Sequence, residues 1–402
     1  MPSPWLHIIG IGEDGEAGLS GAALEQLQQA DVILGGDRHQ RLASNATAQR
    51  LTWPSPFDAM IETITAHKGR RFVILVTGDP LWYSVGARIA RAIGPSEIVF
   101  HPQLSAFQFA TARMGWSLAD CETLTVHGRP VEQMLPYLRP GARLLLLTKD
   151  SSTPSKVASL LTECGFGRSE ITALAALGGP DEQRLAGSAA GWDQTLPDFH
   201  TLAIECVADS DARILPRGPG LPDDAFEHDG KMTKSDVRAV TLARLAPGRG
   251  EYLWDIGLGC GSVAIEWMRI GIDARAVGLE PKAERRAIAA RNAERLGAPA
   301  LDIRDATAPD GLAGLRAPDA VFIGGGLSEE TFDICWANLR PYGRLVVNAV
   351  TLESEALLLD LHARYGGDLT RLAVSRAEPV GPYRGWRPSM PVTQLFLTKA
   401  GS

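Results

Sequence analysis

The feature that most constrains the fold is a glycine-rich loop in the second half of the chain. The apolar segment YLWDIG precedes it and the helix-compatible segment SVAIEWMRI follows it; the loop consists of Gly257, Leu258, Gly259, Cys260 and Gly261. Glycines let the backbone turn tightly and approach a ligand, which the free N–H groups at the helix start then face. The arrangement predicts a strand–loop–helix unit with a ligand at the carboxyl end of the strand.

The residues around this loop favour S-adenosylmethionine over a dinucleotide. Ser262 stands where a dinucleotide fingerprint has its third glycine or alanine, and Asp255 would oppose a pyrophosphate but suits the ammonium of a methionine tail. Glu280, at the end of the next predicted strand, can accept both ribose hydroxyls. Asp305 and Ala306 end the third strand, where they would border the adenine or only cap a helix. A structural turn with an acidic cap is the alternative to cofactor binding.

Predicted strands alternate with helices through the second half of the chain. YLWDIG, ARAVGLE, ALDIRDA, DAVFIGG and RLVVNAV are each followed by a helical stretch, whereas LTRLAVSRAEPV and MPVTQLFLTK have no helix between them. Such alternation is typical of a parallel sheet covered by helices. The last two segments favour an antiparallel pair. The sequence therefore predicts a Rossmann-like α/β domain with a mostly parallel seven-stranded sheet over residues 231–402.

The first part of the chain predicts another α/β domain. WLHIIGIG, SGAALEQLQQA and DVILGG form a βαβ unit, RFVILVTG and EIVFHP add strands, and a second subdomain starts near residue 117. A turn at one strand end consists of Gly78, Asp79 and Pro80, in which glycine permits an unusual φ and proline removes a donor. The segment 211–230 is rich in Pro, Gly and Asp and predicts a linker, so the first domain spans 1–210.

Composition argues against several classes of partner. A net charge of −7 opposes binding to a nucleic-acid backbone, because phosphate neutralisation needs a basic face. The five cysteines are widely spaced and the eight histidines form no HxxxH or HExxH pattern, so we expect reduced thiols and no metal site. The start MPSPWLHIIGIG lacks the basic region of a leader, and no apolar run is long enough to span a membrane. We therefore expect a cytoplasmic protein.

Residues 225–400 resemble the decarboxylating C15-methyltransferase domain of cobalamin biosynthesis. The segments that carry the resemblance are GKMTKSDVRAV, DIGLGCGSVAIEW, GLEPKAERRAIAARN, VFIGGG and GWRPSMPV. The MTK segment before the first strand distinguishes this family from other methyltransferases. The resemblance implies S-adenosylmethionine binding at 257–261, Glu280 and Ala306, with Thr233 over the cofactor.

Residues 5–208 resemble the tetrapyrrole methylase family, specifically its C5-methylating member. The resemblance lies in HIIGIGEDGEAGLS, VILGGDRHQRL, VTGDPLWYSVG and HPQLSAFQFATARMGW. It implies that a second S-adenosylmethionine binds between two subdomains, at the loops 78–80 and around Ser105 and Ala106. The sequence departs from the family pattern at GEDGE, where a Gly-Pro-Gly turn is usual, and at Gln103, where a glycine is usual.

Together the two resemblances imply a bifunctional enzyme of vitamin B12 synthesis. It would methylate precorrin-6B at C5 and C15 and decarboxylate the C12 acetate, giving precorrin-8X. Because the substrate carries several carboxylates, we expect basic residues around each cleft. The candidates are Arg129, Lys234, Arg238, Arg384 and Arg387, each of which could equally belong to a solvated face. Both parent families tend to self-associate, so we expect a homo-oligomer.

Other interpretations of the sequence stay open. The N-terminal domain could be a scaffold that binds the corrinoid without catalysis, and the substrate could already contain cobalt. An NAD-dependent oxidoreductase would need the third glycine that Ser262 replaces. Methylation of RNA or protein would fit the first half alone, and the acidic charge opposes RNA.

Overall fold

The computed structural model describes residues 4–401. Residues 1–3 and 402 lie outside the described residues. The former belong to the predicted first domain and to the N-terminal segment MPSPWLHIIGIG, and the latter belongs to the predicted second domain. The chain divides into two compact units. Unit 1 contains the residues up to 131 and 139–213, and unit 2 contains 132–138 and the residues from 214 onward.

Unit 1 begins with a parallel five-stranded sheet of order β3-β2-β4-β1-β5. Its strands are β1 (Leu6–Ile11), β2 (Val32–Leu34), β3 (Gln49–Leu51), β4 (Phe72–Thr77) and β5 (Ile98–His101). Its helices are α1 (Gly21–Gln28), α2 (Asp37–Leu42), α3 (Met60–Thr65), α4 (Gly86–Ile93) and α5 (Ala106–Met114). The central strands β1 and β4 are almost wholly buried, as their unbroken apolar runs predict for a sheet covered on both faces. Strand β3 was not predicted from the sequence.

A second five-stranded sheet of unit 1 has the order β6-β7-β10-β8-β9. Strands β6 and β7 are parallel, and the other pairs are antiparallel. The sequence predicted four of these strands but neither β9 nor any strand direction. The elements are β6 (Cys121–Thr125), β7 (Arg143–Leu147), α6 (Thr153–Glu163), β8 (Glu170–Ala175), β9 (Gln183–Ser188) and β10 (His200–Glu205).

Unit 2 contains the predicted seven-stranded sheet, of order β13-β12-β11-β14-β15-β19-β16, in which only pairings with β19 are antiparallel. The strands are β11 (Tyr252–Ile256), β12 (Arg275–Leu279), β13 (Asp302–Arg304), β14 (Ala320–Ile323), β15 (Arg344–Ala349), β16 (Asp368–Leu372) and β19 (Val392–Thr398). The helices are α7 (Ser235–Leu245), α8 (Ser262–Ile270), α9 (Ala283–Arg295), α10 (Glu329–Asn338) and α11 (Leu352–Tyr365). The predicted Rossmann-like α/β fold is therefore confirmed.

The end of the sheet differs from the prediction in one respect. The run LTRLAVSRAEPV was expected to be one strand, but it divides into β16 and a separate strand β17 (Ser375–Val380). Strand β17 pairs with β18 (Tyr383–Pro388) as an antiparallel hairpin outside the main sheet, while β16 pairs with β19. Every residue of β17 is exposed, so no buried face of the sheet holds it in line with β16.

Most of the predicted linker is a packed part of unit 2. From Ile214 onward it belongs to that unit, and Leu221 and Phe226 are buried in the core beneath α8. The backbone N–H groups of Gly220 and Leu221 donate to the buried carboxylate of Glu266 at 2.6 and 3.0 Å. Apart from one turn of 3-10 helix at Asp223–Ala225, side-chain contacts and backbone hydrogen bonds to Glu266 hold the segment, which explains its lack of periodicity. The assignment of 1–210 and 231–402 to separately folding domains stays a prediction.

We predict that a fragment of residues 214–402 is at least about 4 kcal/mol more stable than a fragment of 231–402. The shorter fragment loses the buried Leu221 and Phe226 side chains and leaves Glu266 without two of its donors. Urea unfolding followed by circular dichroism measures the difference. Equal unfolding midpoints for the two fragments would contradict the structural role of the segment.

Among residues 4–401, no helix is long and apolar enough to cross a membrane.

Candidate functional site

The glycine loop of unit 2 connects β11 to α8 in a conformation that glycine alone adopts readily. Gly257, Gly259 and Gly261 all have positive φ, at 78°, 57° and 82°. A Cβ on Gly257 would lie 2.8 Å from the backbone of Gly325, whereas a Cβ on Gly259 would meet nothing closer than 3.9 Å. The loop is therefore packed on one side against the turn after β14 and open around Gly259.

Glu280 lies directly against this loop, as the spacing predicted. Its side chain is almost fully buried, and its two oxygens accept hydrogen bonds from the N–H groups of Gly259 and Lys282, each at 3.0 Å. The Arg285 guanidinium lies 4.0 Å away. The strand ends of β11 and β12 thus bring an acceptor carboxylate next to the glycine backbone, the arrangement that a ribose diol needs.

Asp255 lies behind the glycine loop, in the core, and its carboxylate is not exposed to a ligand ammonium. It is 1% exposed, and its Oδ2 accepts a hydrogen bond from the N–H of Ala264 in the first turn of α8. Burial raises the pKa of this carboxyl to about 8, and the nearby Glu280 adds to the rise. Asp255 therefore joins the strand to the helix behind the loop, and the predicted contact with the cofactor stays a prediction.

The remaining predicted cofactor residues of unit 2 differ in their surroundings. Leu258 and Cys260 are buried, so only their backbone can face a ligand. The Asp305 carboxylate pairs with Arg286 at 2.7 Å and is largely exposed, while Ala306 is half-buried against the β-sheet core. Thr233 is half-buried, and its carbonyl accepts a hydrogen bond from Arg238 at 2.5 Å.

In unit 1 two glycines bring three loops together at the carboxyl ends of the parallel strands. Gly78 follows β4 with φ 61°, and a Cβ on it would lie 2.9 Å from the Cα of Ser105. A Cβ on Gly10 of β1 would collide with the Gly78 carbonyl. Ser105 itself caps α5, with a capping box completed by Gln108. Only glycine at both positions lets the loops approach so closely.

A cleft opens at this meeting point within unit 1. Of the predicted residues, Gly78 and Ala106 line it. Asp79 instead folds its own turn, since its Oδ1 accepts from the N–H groups of Leu81 and Trp82 at 2.7 and 3.2 Å. Sequence reasoning missed most of the other lining residues, which include Glu13, Arg38, Thr77, Phe109, Phe199 and Thr201. The position of Arg38 just after the predicted strand DVILGG is a signal that could have identified it.

The structure buries Arg238, which the sequence predicted to bind a substrate carboxylate, in the core of unit 2. It is fully buried, and its guanidinium is satisfied by Glu266 at 2.5 Å, by Asp223 at 3.3 Å and by the carbonyls of Thr233 and Leu221. A cation so enclosed stabilises unit 2 and does not face a cleft. The segment MTKSDVR gave no sign of this, because the partner carboxylates lie in other elements.

The other basic candidates are exposed. Lys234 lies 3.9 Å from Asp223, and Arg387 pairs with Glu378 across the β17–β18 hairpin at 3.0 Å. Arg384 is on the same hairpin, and Arg129 follows β6 in unit 1. Their predicted roles toward substrate carboxylates stay predictions.

Two family models match consecutive parts of the chain. Residues 5–191 match the tetrapyrrole (corrin/porphyrin) methylases, and residues 224–399 match the precorrin methyltransferase domain. The precorrin-6Y C(5,15)-methyltransferase (decarboxylating) of Sinorhizobium sp is 46% identical over 99% of this chain and 97% of its own length. The chain belongs to that methyltransferase family. Membership covers both units, so neither half is an unrelated addition.

The chain is also similar to other members of this group of proteins. A precorrin-6Y C(5,15)-methyltransferase (decarboxylating) of Mycobacterium tuberculosis is 38% identical over 98% of this chain and its full length. The crystal structure of the C-terminal domain of precorrin-6Y C5,15-methyltransferase from Rhodobacter capsulatus is 49% identical, with a TM-score of 0.44 over 46% of this chain and all of that one. Members of this family are methyltransferases that also decarboxylate, and the methyl donor that the family uses is S-adenosylmethionine.

Among the described residues, no group of three or more His, Cys, Asp and Glu side chains is arranged to hold a metal ion.

We predict that unit 1 loses stability in mild acid partly because of His39. Burial, followed by the neighbouring Arg38, lowers the pKa of His39 from 6.5 to about 4. The unfolded chain binds this proton near pH 6.5 but the folded chain does not, so stability is full above that pH and falls by at most about 3 kcal/mol toward pH 4. His39→Gln should reduce the fall in unfolding free energy between pH 7 and 4.5, measured in urea, and His228→Gln at an exposed site should not. An unchanged profile for His39→Gln would contradict this.

Proposed function

We propose that this chain transfers a methyl group to C5 and another to C15 of precorrin-6B and removes CO2 from the C12 acetate, giving precorrin-8X. The observation that carries the proposal is the 46% identity to a decarboxylating C(5,15)-methyltransferase across nearly the whole chain. That match includes both strand-end sites, the glycine loop of unit 2 and the cleft of unit 1. One chain then performs both methylations of the reaction.

We propose one S-adenosylmethionine site in each unit. In unit 2 the donor fits the open backbone around Gly259 and the buried Glu280 carboxylate, which can exchange its bond to the Gly259 N–H for the ribose hydroxyls. In unit 1 it fits the cleft lined by Gly78, Ala106 and Phe109. The bound sulfonium supplies an activated methyl group.

The protein's own contribution is alignment and exclusion of water. The electron-rich macrocycle provides the nucleophilic carbon, so no nucleophilic triad is required. Holding the methyl donor and this carbon in the right geometry can lower the activation free energy of methyl transfer by several kcal/mol. Rigid glycine loops at strand ends suit this task, because the contacts of Gly257 with Gly325 and of Gly78 with Ser105 fix their positions. After methylation at C15 the conjugated ring can accept the electron pair released with CO2.

We also propose that the protein acts in the cytoplasm as a homo-oligomer, without nucleic-acid or membrane partners. All five cysteines carry free thiols, which suits a reducing compartment. Tyr383, Trp386 and Met390, on and beside the β17–β18 hairpin, are between 69% and 79% exposed. Exposed apolar side chains in this number suit contact with another copy of the chain. The net charge of −7 opposes binding to phosphate backbones.

Mass spectrometry of the products tests the proposal. The full chain is incubated with S-adenosylmethionine and either precorrin-6B or its cobalt complex. We expect metal-free product that has gained two methyl groups and lost CO2. Gain of a single methyl group with loss of CO2 would leave unit 1 as a binding scaffold, and turnover of the cobalt complex alone would change the substrate. No change in either tetrapyrrole would refute the assignment.

A further inference from the structure

Arg38 projects into the cleft of unit 1 and is held there by several groups. It lies in α2, directly after β2, and its Nη1 donates to Thr77 Oγ1 at the carboxyl end of β4, at 3.0 Å. Its guanidinium carbon lies 3.8 Å from the centre of the Phe199 ring, within the range of a cation–π interaction. Thr77 is in turn hydrogen-bonded to His39 at 3.0 Å. The guanidinium is therefore fixed in position before any ligand contact.

The anion beside Arg38 is held less firmly than the cation. Glu13 lies in the loop after β1, and its Oε1 accepts from Arg38 Nε at 2.5 Å. Within residues 4–401, the Glu13 carboxylate makes its hydrogen bond and its ion pair with the same residue, Arg38. If Glu13 rotates away, Arg38 keeps its contacts with Thr77 and Phe199, whereas the Glu13 carboxylate keeps no hydrogen bond or ion pair to any described residue. The carboxylate is thus the replaceable member of the pair.

The position of the pair is suited to a ligand. Glu13, Arg38 and Phe199 line the cleft that contains Gly78 and Ala106, and they also line a second hollow that continues it toward Arg41 and Gln183. Arg38 has 23% of its side chain exposed and Glu13 has 19%, so the pair is partly desolvated yet accessible. A partly desolvated guanidinium binds carboxylates well because it offers parallel N–H donors in a planar fork.

We propose that Arg38 binds a carboxylate of a ligand of the unit 1 cleft, and that Glu13 occupies this position until the ligand carboxylate displaces it. The inference rests on the proposed function, which supplies two ligands with carboxylates, the tetrapyrrole with its acetate and propionate groups and the methionine end of the methyl donor. Both would present the same group to the guanidinium. The Arg38 guanidinium then faces one carboxylate in both situations, that of Glu13 before binding and that of the ligand afterwards.

The test uses the full chain and the variants Arg38→Met, Arg38→Lys and Glu13→Gln. The methylation coupled to CO2 loss serves as an internal measure of intact protein, while the other methyl transfer reports on unit 1. We expect Arg38→Met to raise KM for the tetrapyrrole, or Kd for S-adenosylmethionine in unit 1, roughly tenfold to a hundredfold. The ligand whose constant rises is the source of the carboxylate. Arg38→Lys keeps the charge but loses the planar fork, so its effect should be intermediate.

Glu13→Gln separates ligand binding from a structural role. If Glu13 holds the place of the ligand carboxylate, Glu13→Gln removes a competing anion and should lower KM for the tetrapyrrole or Kd for S-adenosylmethionine. If the pair is a clamp that shapes the cleft, Glu13→Gln impairs methyl transfer as much as Arg38→Met, and the proposal fails. Unchanged KM and Kd in Arg38→Met also overturn it.

Arg88→Met is the matched control, because Arg88 pairs with Asp58 in the same unit at 2.7 Å but lies outside the cleft. It should behave as the wild type. A wild-type protein that transfers no methyl group in unit 1 would refute the proposed function itself, a result that differs from every outcome expected for Arg38.

Discussion

Gly257→Ala is expected to abolish the methyl transfer that accompanies CO2 loss and to leave the other methyl transfer intact. The new Cβ would lie 2.8 Å from the backbone of Gly325, and alanine is strained at φ 78°. Both effects displace the loop that we propose as part of the donor site in unit 2. Because misplacement by about 1 Å can cost on the order of 100-fold in rate, we expect at least that loss. Product mass spectra and calorimetric titration with S-adenosylmethionine measure it, and the binding stoichiometry should halve.

Two further variants control this result. Gly314→Ala introduces a similar strain at φ 73° but its Cβ meets nothing within 4 Å, so both methyl transfers should persist. Gly10→Ala should show the opposite pattern to Gly257→Ala, since its Cβ would collide with the Gly78 carbonyl in unit 1. If Gly257→Ala stopped both transfers, or neither, the assignment of one reaction to each unit would be wrong.

Arg238→Met is expected to destabilise unit 2 by about 3–5 kcal/mol. The substitution leaves the Glu266 carboxylate buried without its counter-charge and leaves the carbonyls of Thr233 and Leu221 without a donor. Burial already raises the pKa of Glu266, and Arg238 opposes that rise, so its loss favours protonation of the carboxyl. Thermal unfolding of the full chain should show one transition lowered by roughly 10 °C.

A surface ion pair provides the control for this prediction. Arg364→Met removes a partner of Glu329 at 2.8 Å, but both side chains are well exposed, so the loss should be no more than about 1 kcal/mol. The double variant Arg238→Met with Glu266→Leu should recover part of the stability, because no unpaired charge then remains buried. An Arg238→Met protein as stable as the wild type would show that the buried pair contributes little.

The buried pair has a consequence for function as well as for stability. Arg238 donates a hydrogen bond to the carbonyl of Thr233, in the segment that precedes α7. It also pairs with Glu266 on α8 and with Asp223 in the segment that was predicted to be a linker. The Lys231 carbonyl, two residues before Thr233, lies near Gly259 of the glycine loop. The pair therefore fixes the segment that the family resemblance placed over the cofactor. We expect weaker donor binding in Arg238→Met even where unit 2 stays folded.

Local patterns in the sequence were enough to predict the parts of the protein that depend on near neighbours. Three features depend on residues close in sequence. An unbroken apolar run marks the buried strand β4, and alternating strands and helices mark the sheet of unit 2. Glycines stand at 257, 259 and 261, where the backbone has positive φ. The position of Glu280 followed in the same way, because one βα unit fixes the distance from the glycine loop to the next strand end.

The tertiary structure alone decided which charged residues meet. Arg238 and Glu266 are 28 positions apart, and Arg38 and Glu13 are 25 apart, so neither pairing leaves a periodic signal in the sequence. The segment from Ile214 likewise gives no sequence signal of its contacts. It has the composition of a linker, but its backbone N–H groups donate hydrogen bonds to Glu266 within unit 2. A charged or irregular segment is buried only when distant elements supply its partners, and those partners are brought together by the fold.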